Sequence, residues 1–205
     1  MDRRAAMQRP TTSKGSGRLR EILQAARDIL VEKGFSGLSY GVIAKRVGVT
    51  VGNVNYYYPS KDQLMVELAD FIFDRWDERF RRDIPASVTT PIAMFLYSVK
   101  YMIEENKRVK TRSLLFEMWA MANHSAPVAR MMDAFYSRMV CWIEGMLAQI
   151  NPAVAEFDRR HRAALITAQI EGLMILIGPA RPRHEGLKGL EAAALAQIEA
   201  MALSP

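Results

Sequence analysis

Thr50, Asn53, Asn55, Tyr56 and Tyr57 crowd one short segment and offer hydroxyl, amide and phenol groups. Such uncharged donors and acceptors suit a groove of base edges and phosphates: Thr50, Asn53 and Tyr56 the bases or sugars, Tyr57 a phosphate, and Val51 beside them a thymine methyl. Ser39 before the segment and Lys61 after it suit phosphate: a hydroxyl at a helix start and an ammonium group. This chemistry is recognition rather than catalysis. No histidine stands near a cysteine, or four residues before a carboxylate, in a metal-binding spacing, and there is no G-x-S-x-G or phosphate-cradling glycine loop. Neither an enzymatic activity nor a cofactor or metal is expected.

The elements that must position these groups are two short helices. Ser39 caps one that runs from Tyr40 to Val47 and breaks at Gly48; Thr50 opens a second that ends near Tyr58-Pro59. Ala44, Gly48 and Val54 supply a small residue, a turn residue and an aliphatic, which two steeply crossing helices need where they touch. The arrangement is a helix-turn-helix, with a plain surface hairpin as the competing reading of this stretch alone. Upstream, Leu19, Ile22, Leu23, Ala26, Ile29 and Leu30 keep the period of an amphipathic helix that Gly34 ends, and Phe35 and Leu38 are expected to plug a three-helix core. Downstream, Ser60 and Gln63 form a capping box that starts a helix reaching almost to Pro85, about 30 Å long.

The run GVTVGNVNYYYPSKDQL resembles the signature of the tetracycline-repressor (TetR) family of bacterial regulators: a glycine turn, a short recognition helix, a tyrosine-rich end and a Pro-Ser-Lys-acid-x-Leu helix start. The resemblance in residue detail covers roughly Arg18 to Leu68. It implies an inward-packed aromatic at Tyr58 and a phosphate contact at Lys61. Where this chain has Asn55 the family usually has Tyr, and where it has Val51 often Lys or another polar residue. The resemblance further implies an effector pocket among central helices and a dimer built on the last two.

Charge agrees with a polyanion partner. Residues 1–61 hold eleven Lys/Arg and four Asp/Glu, a net +7, which leaves −1 for residues 62–205. Phosphate neutralisation supplies most non-specific affinity for nucleic acid, so the basic third should carry that contact. Residues 1–17 lack periodicity and read as a disordered basic arm that, with Arg18, could follow a phosphate backbone. This arm has no apolar core of a secretory signal, the single Cys141 fits a reducing compartment, and the longest apolar run, 163–177, is too short to span a bilayer. A cytoplasmic protein without membrane contact is expected.

The remainder reads as helices with punctuation: Thr90-Pro91 opens one, Ser125 another, Pro152 ends the latter, and Gly178-Pro179 stops the run from Phe157 to Ile177. The expected fold is all-α with about nine helices: a helix-turn-helix DNA-binding domain over 18–62 and an effector-binding and dimerisation domain over 63–205. Eleven of thirteen methionines follow Lys61 and mix with aromatics, a combination that lines adaptable cavities. Met94, Tyr97, Tyr101, Phe116, Trp119, Tyr136, Met139, Trp142, Glu171 and Met174 are the candidate pocket residues, with ordinary core as the alternative. Glu171 interrupts an apolar helix and must find a partner, first of all an arginine of a second subunit. Leu165, Leu173, Ile177, Leu190, Ala194 and Ile198 are the candidate interface of a homodimer.

These features lead to a transcriptional repressor that holds a palindromic operator in double-stranded DNA and is released by a small, largely apolar or aromatic effector. The rivals are a constitutive or activating DNA binder without a ligand switch, and an all-α ligand carrier or enzyme with a vestigial helix-turn-helix.

Overall fold

The computed structural model describes residues 13–177 and 185–205. Among these there is no strand; the secondary structure is helical throughout. The chain divides into two compact units, residues 1–73 and 74–205, so the boundary falls within a helix rather than at its start near residue 62.

In the first unit, α1 (Ser13–Lys33), α2 (Tyr40–Val47), α3 (Val51–Tyr57) and the front of α4 (Lys61–Asp83) enclose a small core. Helix α1 begins at Ser13, six residues before the periodic stripe at Leu19, so residues 13–17 of the expected arm are helical. Residues 1–12 lie outside the described residues. Ile22, Ala26, Ile29, Leu38, Ile43, Val54 and Leu64 are sealed from solvent. Phe35 is only half-buried, and its ring lies 3.7 Å beneath the Lys61 ammonium, a cation–π contact.

The turn between α2 and α3 follows from Gly48, whose φ of 73° is the left-handed conformation a glycine adopts without steric cost. It lets Val49 N–H donate back to the Ala44 carbonyl at 3.0 Å and closes α2. Ser39 Oγ, Thr50 Oγ1 and Ser60 Oγ accept from Val42, Asn53 and Gln63 N–H at 3.3, 3.2 and 3.2 Å. Each such cap is worth about 1 kcal/mol. The Gln63 side-chain oxygen has no hydrogen-bond partner, so only the serine half of the capping box forms.

The second unit contains the rest of α4 with α5 (Pro91–Lys107), α6 (Val109–Ala122), α7 (Ala126–Ile150), α8 (Glu156–Ile177) and α9 (Leu190–Leu203). Phe95, Val99 and Ile103 of α5, Ile143 of α7, and Ile166 and Ile170 of α8 form its core with Ile198 of α9. Thr90 and Ser125 cap α5 and α7, and Pro91 and Pro127 sit in first turns, where a missing N–H costs nothing. Much of the loop expected after α8 falls outside the described residues.

Candidate functional site

Helix α3 is held at its ends and left open along its length. Of its residues only Val54 is buried. Tyr58, just beyond, is fully buried, and its carbonyl accepts a 2.6 Å hydrogen bond from Tyr40 Oη, which ties the end of α3 to the start of α2. Tyr58 Oη donates in turn to Glu67 at 3.4 Å, and burial pushes this phenol above its ordinary pKa. Tyr58 is thus the inward-packed aromatic the resemblance implied.

With the helix pinned, Val51, Gly52, Asn55 and Tyr56 face solvent, and Asn53 and Tyr57 are half-exposed. Tyr56 is 66% exposed, a high value for so large an apolar ring, and packs edge-on against Tyr57. Ser39 and Thr50 are exposed at the starts of α2 and α3. Lys61 is half-buried, and burial lowers the pKa of its ammonium group. Arg18 pairs with Glu21 at 2.6 Å on α1, and Arg46 of α2 pairs with Glu32 at 2.7 Å. Both ion pairs are partly exposed and so weakly held.

A second feature lies within the C-terminal unit, where α6, α7 and α8 leave a cavity of about 280 Å³. Phe116, Trp119 and Tyr136 give it aromatic walls, and Met174 closes part of it. Ala164 and Ala168 leave room because they are small. Trp119 and Tyr136 stack with ring centroids 5.4 Å apart, and Trp119 Nε1 donates to Tyr136 Oη at 3.2 Å.

Glu171 puts a carboxylate in this cavity. Its Oε1 accepts from Asn106 Nδ2 at 3.0 Å and its Oε2 from Tyr136 Oη at 2.9 Å. Burial pushes its carboxyl above the usual carboxylate range, while the two hydrogen bonds pull the other way. Within its own chain its partners are therefore neutral groups. Thr167 Oγ1, also at the cavity, is buried without a hydrogen-bond partner.

Residues 22–68 match the profile of the bacterial regulatory proteins of the tetR family, and residues 100–202 match that of the C-terminal part of BetI-type transcriptional repressors. The chain belongs to the tetR family. It is a DNA-binding transcriptional regulator with a helix-turn-helix. A curated relative is the HTH-type transcriptional regulator RutR of Escherichia coli (strain K12), 28% identical over 148 residues that cover 67% of this chain and 68% of RutR. Solved structures with the same fold include a TetR-family regulator from Rhodococcus sp., with a TM-score of 0.73, 18% identity and coverage of 91% and 99% of the two chains. Another is a transcriptional regulator from Saccharomonospora viridis in complex with choline, with a TM-score of 0.67, 16% identity and coverage of 91% and 94%.

Within this tetR-family fold the candidate pocket residues separate into three groups. Phe116, Trp119, Tyr136, Glu171 and Met174 line the cavity. Tyr97, Tyr101 and Trp142 do not; they gather around Phe80 of α4, with centroids 5.8, 5.2 and 5.5 Å from its ring. Met94 and Met139 pack on the hydrophobic core. Ala164, Thr167, Ala168 and Ile175 also line the cavity without having been among the pocket candidates, and Asn106 reaches Glu171 from α5. Only Thr167 left a trace in the sequence, as a hydroxyl inside an apolar run.

The candidate interface separates as well. Leu173 and Ile198 belong to the core of their own chain and cannot meet a second one, and Ile177, Leu190 and Ala194 are half-buried against that core. Leu165 is 56% exposed, and Ile175 and Leu176 join it on the outer side of α8. Among the described residues no cluster of His, Cys, Asp and Glu could hold a metal ion, and no helix is long and apolar enough to cross a membrane.

Proposed function

We propose that this regulator is a homodimeric repressor that reads a palindromic operator with α3 and leaves it when a small molecule occupies the cavity beside Glu171. The observation that carries the reading is the exposure of α3: a helix that buries only Val54 and turns Val51, Asn55 and Tyr56 to solvent contributes little to its own core. Thr50, Asn53, Asn55 and Tyr56 would meet bases and sugars, Val51 a thymine methyl, and Ser39, Tyr57, Lys61 and Arg18 phosphates. A single helix of seven residues reads few base pairs, so two copies at half-sites about 34–36 Å apart, or a multiple, are needed for specificity.

The cavity, with its aromatic walls and carboxylate, supports the ligand half of the reading, and the choline complex of the Saccharomonospora viridis regulator is an instance of this fold with a small molecule bound. Ligand and operator must then favour different arrangements of the chain, because a ligand that binds both equally shifts nothing.

Selection of bound fragments from a random duplex library tests the operator reading. Palindromic fragments with half-sites at that spacing, bound with an affinity that falls steeply with salt, are expected. Fragments without twofold symmetry, or salt-independent binding, would sink it.

A further inference from the structure

Helix α3 carries no charged side chain: none of its residues from Val51 to Tyr57 is Lys, Arg, Asp or Glu. In the major groove guanine is read chiefly by Arg or Lys and cytosine by Asp or Glu. Adenine is read by the amide of Asn or Gln, and thymine by apolar contact with its 5-methyl group. What α3 offers a duplex belongs to the second pair of bases.

The outward face of the helix narrows this to two side chains. Val54 is sealed in the core, and the residues that turn away from it are Val51, Gly52, Asn55 and Tyr56, while Asn53 and Tyr57 lie on half-exposed flanks. Val51 is 45% exposed. Among the described residues nothing hydrogen-bonds the Asn55 amide, which leaves its donor and its acceptor free together. The Tyr56 hydroxyl can donate or accept and so discriminates little. Gly52 lies beside Val51 on this face. A Cβ there would meet nothing nearer than Thr50 Oγ1 at 3.8 Å, so packing within the protein does not demand a glycine, which weakens a helix relative to alanine. Without a side chain at that point the backbone of α3 can approach base edges closely.

We propose that α3 reads a half-site defined by A·T pairs: Asn55 donates from Nδ2 to adenine N7 and accepts at Oδ1 from adenine N6, and Val51 packs on a thymine 5-methyl group within about two base pairs of it. This rests on the reading of α3 as the element that holds the operator. The spacing follows from the helix, since residues four apart lie about 6 Å apart along its axis and share a face, and bases on one strand follow one another about every 3.4 Å.

Anisotropy titration of the full chain on a duplex selected from the random library, with single base atoms removed, tests the assignment. Deoxyuridine in place of each thymidine removes one methyl group, and 7-deazaadenine in place of each adenine removes N7. One thymine should be found whose replacement weakens binding about fourfold, the worth of one buried methyl group. An adenine within two pairs of it should cost about tenfold. The first loss should vanish in Val51→Ala and the second in Asn55→Ala, while both variants keep native affinity for a duplex of scrambled sequence, which a distorted helix or a lost phosphate contact would lower as well. A scan of the native chain that finds no such thymine and adenine overturns the assignment, as do losses that persist in the variants or a variant weakened equally on both duplexes. Should a variant lose its cooperative melt, the scan of the native chain still decides. Selected half-sites built of G·C pairs overturn the assignment alone and leave operator binding standing, whereas a library that yields no preferred sequence overturns both.

Discussion

Glu105 and Asn106 are consecutive on α5 and bond in different directions. Asn106 donates to Glu171 in the cavity at 3.0 Å, while the buried Glu105 accepts from Arg79 of α4 and from Arg108, each at 2.9 Å. Neighbours on an α-helix point about 100° apart, so a small rotation of α5 moves both bonds at once. Helix α4 is the helix whose other end begins with Lys61. A ligand that draws on Glu171 would thus pull, through Asn106, on the turn of α5 that holds Arg79.

That link predicts a separation of binding from response. Glu105→Ala should cost about 1–2 kcal/mol of stability, less than a fully buried pair because the arginines reach solvent. Ligand affinity should change less than threefold, while the effect of ligand on operator affinity should fall severalfold. Urea melts and anisotropy titrations with and without ligand check both parts.

Glu171 should impose a pH dependence of its own. Burial holds its carboxyl above the ordinary value of 4.5, so the fold binds that proton more tightly than the unfolded chain does. Its contribution to stability is therefore fully present below about pH 4.5 and is lost as pH rises through the raised value. The groups that face it are Asn106 of α5 and Tyr136 of α7, with Trp119 of α6 behind Tyr136; Tyr136 is itself pushed up by burial and stays protonated across this range. Thermal melts from pH 4 to 8 should show native protein losing stability relative to Glu171→Gln as pH rises.

On α3 two neighbouring substitutions should have opposite profiles. Tyr56→Ala removes an exposed ring and should leave stability within about 0.5 kcal/mol, yet weaken operator binding roughly tenfold. Val54→Ala empties a sealed position and should cost about 2 kcal/mol of stability. Lys61→Ala should lower the salt slope of DNA binding by about one, uniformly across sequences. Chemical melts and salt titrations on one selected duplex distinguish these outcomes.

How much of this was legible in the sequence depends on how local the determinant is. The caps at Ser39, Thr50, Ser60, Thr90 and Ser125 and the turn at Gly48 depend on a few adjacent residues, and the structure has all of them. The start of α1 was missed because Ser13, Gly15 and Gly17 are poor helix formers and carry no apolar stripe. Phe80, Tyr97, Tyr101 and Trp142 could not be told from pocket lining, since rings that pack on one another and rings that face a void have the same spacing. The cavity is lined from three helices, α6, α7 and α8, a property of facing helices that no single segment encodes.

The same limit explains the interface, and it sets the last prediction. Helix α8 is apolar on nearly every side from Ala163 to Ile177, so periodicity could not assign Leu173 inward and Leu165 outward. The structure makes that assignment: Leu165, Ala168, Gly172 and Leu176 follow one another at three- and four-residue steps, and Leu165, Ala168 and Leu176 are exposed. On α9, Ala192, Ala196, Ala200 and Leu203 form a second exposed apolar stripe. Stripes of this kind on two helices are costly to leave in water, and a second copy of the chain would cover them in a four-helix arrangement. Leu165→Glu should therefore yield a folded monomer with native helicity and a loss of operator affinity of at least tenfold, because the two reading helices are no longer joined. Ile198→Glu buries a charge in the core and should unfold the C-terminal unit instead. Sedimentation equilibrium with circular dichroism separates the two, and a Leu165→Glu protein that remains a dimer would place the interface elsewhere.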